Sequence, residues 1–312
     1  MNPTLSKKNV LPRLGKPRLL ILGCGDIGMR LLPWVRERFR VYAVTSQPVR
    51  CAELRAAGAI PLVADLDDGL TLDRLARLAH IVVHLAPPQS DGLQDRRTRR
   101  LATILPDGAR LVYVSTSGVY GDCGGASIDE TRAVAPHNPR ARRRVDAEQV
   151  LRAWGRRSGS RVSILRVPGI YAENRLPLAR LQNGSPALRQ EEDVYTNHIH
   201  ADDLARIIAM TIFRGRCGRV YHAVDDSQMK MADYFDAVAD ACSLQRPPRL
   251  PRSELAGAVS PMLLSFMSES RRLANVRLKE ELGVRLRHPT VAAMLAGISL
   301  PVALPASFES NQ

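Results

Sequence analysis

The sequence predicts an α/β protein, a doubly wound parallel sheet with a smaller lobe at its C-terminal end. Three observations predict it. A short apolar run, Leu19 to Leu22, leads directly into Gly23, Gly25 and Gly28 at G-x-G-x-x-G spacing. An amphipathic segment follows, with Ile27, Leu31, Leu32 and Val35 at near-helical intervals. Strand-like and helix-like stretches then alternate as far as Val167, which is the rhythm of parallel strands joined by helical crossovers. Together these describe a Rossmann arrangement.

The first unit also predicts a ligand. A buried strand, a glycine turn and a helix, in that order, suit a dinucleotide. Gly23 permits the tight turn, Gly25 lets the backbone approach a pyrophosphate, and Gly28 lets the helix pack close to the strand. The helix N-terminus, with its unpaired N–H groups, faces the phosphates. Cys24, Asp26 and Ile27 complete the loop.

Further along, residues 40–45 read as a second strand, and Pro48 opens a helix that ends near Gly58. Residues 60–63 form a third strand, closed by Asp65, Leu66, Asp67 and Asp68. A helix is expected through Leu72, Leu75 and Leu78. Residues 81–86 form a fourth strand, stopped by Pro87 and Pro88. A polar helix is expected over 93–104, a fifth strand over 109–115, a long helix within 138–158 and a sixth strand over 161–167, broken by Pro168 and Gly169. Past Tyr171 the alternation loosens into proline-punctuated stretches. Helices are expected there over 201–213, 229–241 and 289–298, with a strand over 219–224. The expected organisation is a basic tail (1–16), a dinucleotide domain (17–170) and a mostly separate lobe (171–312), some of which returns to the sheet.

Composition limits the function classes. The 312 residues are 45% hydrophobic and 24% charged, ordinary values for a globular chain. No apolar run approaches the roughly 18 residues needed to span a bilayer, and the polar N-terminal stretch does not read as a secretory signal. Five scattered cysteines without a C-x-x-C pair suggest free thiols in a reducing, cytoplasmic setting. The net charge of +14 comes almost wholly from arginine, with lysine at only five positions. The arginines are spread along the chain with few aromatics nearby. This reads as a solvated surface that favours anionic small molecules, not as a nucleic-acid face.

At the end of the second strand, where an acidic residue would bind the ribose hydroxyls of NAD, the chain offers Thr45, Ser46 and Gln47, then Arg50. Hydroxyls with a nearby arginine lean towards NADP.

The motif order resembles the short-chain dehydrogenase/reductase superfamily, in its extended branch of nucleotide-sugar epimerases and dehydratases. Ala64-Asp65-Leu66 resembles the branch's Gly-Asp-Leu, which implies that Asp65 contacts the adenine. His84-Leu85-Ala86 resembles its His-Leu-Ala beside the cofactor ribose, next to Pro87. Residues 114–121 resemble its Ser-Ser-x-x-Val-Tyr-Gly, residues 165–171 its Arg-x-x-x-x-Tyr followed by glycine, here Ala172, and residues 197–204 its Ile-His-Val-Asp-Asp-Leu. The resemblance implies cofactor contacts at Pro168 and a substrate-orienting hydroxyl at Thr116. It also implies a homodimer paired through two long helices, against which the arginines on those helices weigh.

Two departures stand out. The glycine motif is one residue shorter than the branch's usual pattern. The branch's Tyr-x-x-x-Lys pair aligns with Arg140 and Arg144. A tyrosine phenol there gives or takes the alcohol proton while hydride moves, and the lysine lowers its pKa. Arginine stays protonated and cannot shuttle that proton. Arg144 can still hold the nicotinamide ribose as a cation, and Arg140 can polarise a carbonyl or bind an anion. The chain is therefore similar to atypical short-chain dehydrogenases that keep the cofactor fold without the pair. Thr116, Arg140 and Arg144 are its candidate catalytic residues.

Other groups are given bland roles: Tyr120 packs, His137 faces solvent, and Asp122, Asp129 and Glu130 cap or solvate their loop. The Asp202-Asp203 pair caps and starts the following helix, and its resemblance suggests that it positions the lobe. His198 and His200, without cysteines or carboxylates at ligand spacing, suggest no metal site. The expected function is NAD(P)-dependent oxidoreductase or epimerase-like chemistry on an anionic metabolite. The alternative is a non-catalytic sensor of the NADP redox state.

Overall fold

A computed structural model describes residues 15–298. The expected tail lies outside them except for Gly15 and Lys16, as does the end of the expected lobe. Seven parallel strands form the central sheet: β1 (Arg18–Leu22), β2 (Arg40–Thr45), β3 (Ile60–Val63), β4 (Ile81–His84), β5 (Arg110–Thr116), β6 (Arg161–Val167) and β7 (Val220–His222). Their order is β7-β6-β5-β4-β1-β2-β3. The chain runs outward from β1 in one direction through β2 and β3, then returns to β4 and runs outward in the other. The reversal between β1 and β4 opens a crevice at the C-terminal strand ends, where ligands of such sheets bind.

β1 is a continuous apolar run because it is covered on both faces: Leu19 to Leu22 are fully buried. On one face lie α1 (Asp26–Val35) and the later α5 (Ala201–Arg214), which pack against each other and share a core with Leu31, Leu32, Ile207 and Ile208. The short α2 (Cys51–Ala56) adds Leu54 to that core. On the other face lie α3 (Arg96–Ile104) and α4 (Pro139–Ser158), with Leu101, Leu151 and Trp154 against Leu20 and Tyr113. α4 starts where local chemistry dictates. The Asn138 side chain accepts from Ala141 N at 2.9 Å and Pro139 fills the first turn. Gly159, at φ 65°, ends it.

Several expected elements change at their edges. α3 starts at Arg96, not 93, because Asp95 caps it by accepting from Thr98 N. The helix expected through Leu72, Leu75 and Leu78 breaks into residues 69–72 and a 3-10 turn over 73–75. Arg77, at φ 53°, then turns the chain out of helical geometry. α6 (Met231–Ala241) loses its first two expected residues, since Met229 and Lys230 pair antiparallel with Thr196 and Tyr195. The last expected helix shortens to Val291–Leu295 behind a Thr290 cap.

Beyond Tyr171 the chain is shared between two places. α5 and β7 join the sheet, with β7 pairing β6. The rest builds a separate core around Leu181, Leu188, Phe235, Val238 and Met294. Among the described residues no helix is long and apolar enough to cross a membrane.

Candidate functional site

The glycine loop is shaped by close approach. Gly23 sits at φ 79°, and a Cβ there would lie 2.7 Å from the Ala86 Cα. A Cβ at Gly28 would lie 2.7 Å from the Cys24 Sγ, with Leu85 behind it at 3.5 Å. Both positions therefore exclude side chains for reasons internal to the fold. Gly25 differs: a Cβ there meets nothing within 4 Å. Gly25 caps α1 without any side-chain hydrogen bond, so the first amides of the helix keep their donors for an anion. This is a cradle that a side chain would fill, and it suits a dinucleotide's diphosphate.

The electrostatics fit as well. Asp26 opens the helix and would repel a diphosphate, but both its oxygens are engaged. Arg30 Nε donates to Oδ1 and Arg175 to Oδ2, each at 3.0 Å. Arg30 also donates to Asp202 at 2.6 Å and to Asn174 at 2.9 Å, tying the loop to the chain beyond β6. Burial pushes the Cys24 thiol up to about 11, so it stays a neutral packing group.

The remaining expected cofactor residues other than Pro168 lie at or just beyond the C-terminal ends of β2, β3 and β4. Leu85 and Ala86 both donate their amides to Leu22 O. Thr45 is buried at the end of β2 and accepts from Gln47 N, while Ser46 is exposed. Arg50 is not loose on its helix. It donates to Cys24 O at 2.7 Å and pairs with Glu53, so it braces the loop from the β2 side. Asp65 accepts from Asp67 N, Leu66 is buried and Pro87 O accepts from Arg97. Beneath them His84 donates to or accepts from Thr98 Oγ1 at 2.9 Å, and burial holds it down at about 3.

Across the crevice lies a cavity of about 390 Å³. Thr116, Arg140, Arg144 and Pro168 line it from the sheet side. Thr116 Oγ1 accepts from Gly118 N at 3.2 Å, so it caps the end of β5 and keeps its own proton to donate. Arg144 donates to Tyr113 Oη and Val114 O, both at 3.0 Å. Arg140 lies over the Phe266 ring at 4.6 Å. The opposite wall comes from the C-terminal half: Tyr195, His198, Tyr234, Glu269 and Arg271. Sequence reasoning missed all of these except His198, because nothing local ties residues 195–271 to the sheet edge. The His198 ring lies tilted against Tyr234 with centroids 4.3 Å apart, its Nδ1 has no partner among the described residues, and burial holds it down at about 4. Burial pushes Tyr234 up to about 12. Both are neutral at pH 7.

Three bland assignments need correction. Tyr120 does more than pack: its hydroxyl meets His222 Nε2 at 2.5 Å and accepts from Arg166 at 2.7 Å. Arg166 in turn forms a buried two-pronged pair with Glu148. Glu130 does not solvate its loop; its carboxylate is buried, accepts from His222 N and faces Arg277. The Asp202-Asp203 pair does not cap α5. His200 Nδ1 does, accepting from Asp202 N, while Asp203 accepts from the amides of Arg287 and His288.

The same fold brings His200, Asp202 and His288 within 4.8 Å of one another, a carboxylate and second imidazole that sequence spacing did not reveal. The chemistry disfavours a metal there. His200 Nδ1 spends its lone pair on Asp202 N, so the neutral ring carries its proton on Nε2, where a metal would need a lone pair.

The RmlD substrate binding domain family model matches residues 18–281. The chain belongs to that family. It is an extended short-chain dehydrogenase/reductase-like protein of the epimerase/dehydratase kind. Relatives include dTDP-glucose 4,6-dehydratase of Streptomyces niveus, 27% identical over 146 residues, or 43% of this chain and 42% of that protein. GDP-6-deoxy-D-mannose reductase of Pseudomonas aeruginosa is 26% identical over 164 residues, or 46% of this chain and 54% of that protein. The chain thus spans about half the length of these relatives. Among solved structures, a conserved protein of unknown function from Silicibacter pomeroyi DSS is 28% identical with a TM-score of 0.73, covering 90% of this chain and 97% of that one. A dTDP-glucose 4,6-dehydratase from Streptomyces venezuelae, solved with NAD bound, has a TM-score of 0.71 at 21% identity, covering 90% of this chain and 96% of that one, and shares the fold.

Proposed function

We propose that this family member is an NAD(P)-dependent oxidoreductase or epimerase-like enzyme acting on an anionic metabolite such as a nucleotide sugar. The observation that carries the reading is the open cradle at Gly25, set at the same sheet edge as the Thr116 cavity. The relatives' named reactions on nucleotide sugars support the substrate class. Supporting a preference for NADP, residues 45–47 at the end of β2 offer hydroxyls and no carboxylate, although the nearby Arg50 is already paired with Glu53 and Cys24 O. The bound cofactor supplies hydride transfer.

The chain's own residues orient and polarise. Thr116 offers a hydroxyl proton to a substrate oxygen. Arg144, fixed by Tyr113 and Val114, presents a cation at the cavity wall. Neither arginine moves a proton near neutral pH, so proton transfer falls to another group or to water. His198 and Tyr234 face the same cavity and are uncharged, which suits them to hold a substrate oxygen by hydrogen bonding.

Calorimetry with NADPH and NADH tests the reading. The parent chain is expected to bind NADPH more tightly, and Gly25→Val to weaken binding by about 100-fold with folding intact. Unchanged binding in Gly25→Val would sink it. The missing tyrosine favours a second reading, a redox sensor without turnover. Tight, redox-selective binding with no oxidation of NADPH by any carbonyl or nucleotide sugar in a broad panel would select that reading.

A further inference from the structure

The cavity is electrically lopsided. Three guanidinium groups line it, Arg140, Arg144 and Arg271, against a single carboxylate, Glu269. His198 adds no charge at pH 7, since burial holds it down at about 4. The wall therefore carries two unbalanced positive charges.

The three arginines are committed to different degrees. Arg144 is bound to Tyr113 and Val114. Arg271 is buried and donates through Nη1 to Gly121 O at 2.6 Å and to Glu269 at 2.8 Å, yet its Nε has no partner. Arg140 donates no hydrogen bond to any described residue and rests on Phe266. Burial, and repulsion from Arg144 and Arg143, pull its pKa below the usual arginine value, with Glu269 opposing. The side chain is still exposed to solvent, so its charge is hydrated and its fork is open to an incoming ligand. Glu269 also shows what the wall accepts: its carboxylate takes Arg271 on one oxygen and Asn138 Nδ2, at 3.4 Å, on the other. The wall already holds one oxyanion, and the Arg140 fork beside it is unspent.

We propose that the cavity recognises a compact oxyanion on its ligand, a carboxylate or a phosphate ester, gripped by Arg140 with Arg271 beside it. The proposal rests on reading this cavity as the substrate site and narrows the substrate to one that carries a negative group inside the cavity itself. The planar fork of Arg140 matches two oxygens of such a group at once, and Tyr195 and Tyr234 bound the remaining space.

The test uses the full chain saturated with NADPH, titrated at constant ionic strength with inorganic phosphate and, separately, with acetate. Saturable heat with phosphate marks a phosphate ester, and saturable heat with acetate a carboxylate. Arg140→Gln is expected to weaken that binding by about tenfold or more, and Arg140→Lys by less. Arg142→Gln, exposed on the same helix outside the cavity, is expected to leave it unchanged. No binding of either anion, or binding indifferent to Arg140→Gln, overturns the proposal. Failure of NADPH to bind, with anion binding still dependent on Arg140, overturns the functional reading and leaves this one standing.

Discussion

The glycine loop and the first turns of α4 face the same sheet edge, and they are built from different materials. In the loop the proposed binding is left to backbone amides, and side chains at Gly23 and Gly28 are excluded by contact with Ala86 and Cys24. In α4 the backbone is an ordinary capped helix, and everything chemical depends on which side chains stand on it. The loop keeps the dinucleotide pattern apart from one missing residue. The helix carries arginines where the superfamily it resembles carries a proton shuttle. A binding function written in backbone geometry tolerates little change, because a misplaced Cβ costs the fold. A chemical function written in side chains can be exchanged for another without disturbing the helix beneath.

That contrast can be broken by mutation. Gly23→Ala is expected to cost about 3 kcal/mol or more, since it combines a positive φ with overlap against the Ala86 backbone. Gly25→Ala should stay within about 1 kcal/mol by the same urea unfolding measurement. Equal losses at the two positions would mean that the loop is not shaped as described.

Acid titration sharpens the comparison. His84 lies under the loop and His198 in the cavity, with folded values of about 3 and about 4 against an ordinary 6.5. Both are bases held neutral, so their contribution to stability is full above pH 6.5 and is lost as pH falls towards those values. Asp225, whose amide bonds His198 O, works with the opposite sign. Burial raises its carboxyl to about 7 from 3.8, so its contribution is full below 3.8 and is lost as pH rises through about 7. Asp225→Asn should therefore steepen the acid loss between about pH 4 and 6.5, by up to about 1.4 kcal/mol per pH unit. An unchanged slope in pH-dependent denaturation would show that Asp225 is ionised in the folded chain.

The smallest effects separate the two arginines. Arg144→Ala removes two hydrogen bonds and should cost about 1–2 kcal/mol. Arg140→Ala should cost no more than about 0.5 kcal/mol, because it bonds nothing among the described residues. The reverse ranking would make Arg140 a structural residue.

Much of this was legible in the chain. The alternation of apolar runs located six of the seven strands closely, because a strand covered on both faces must be apolar throughout. β7 shrank from six expected residues to Val220–His222, with Arg219 O and Ala223 N still bonded to β6 at its two ends. Asn138-Pro139 marked the start of α4, because capping is a local interaction. The capping expected of Asp202 and Asp203 and the solvation expected of Glu130 give way for the converse reason. Each finds its partner far along the chain, Asp203 at His288 and Glu130 at His222, and no local pattern announces such a pairing.

By itself, then, the sequence determined the sheet, the glycine turn, and the arginines at 140 and 144, where the resemblance places a phenol and an ammonium group. These follow from periodicity, steric demand and residue identity, which act over a few neighbours. The tertiary structure alone decided what faces those arginines: Tyr195, His198, Tyr234, Glu269 and Arg271, delivered to the sheet edge from a second core. It also decided that Arg50 braces the loop and that Arg140 is left without a hydrogen-bonding partner among the described residues. Partnerships of that kind depend on where distant segments pack, and packing is a property of the whole folded chain.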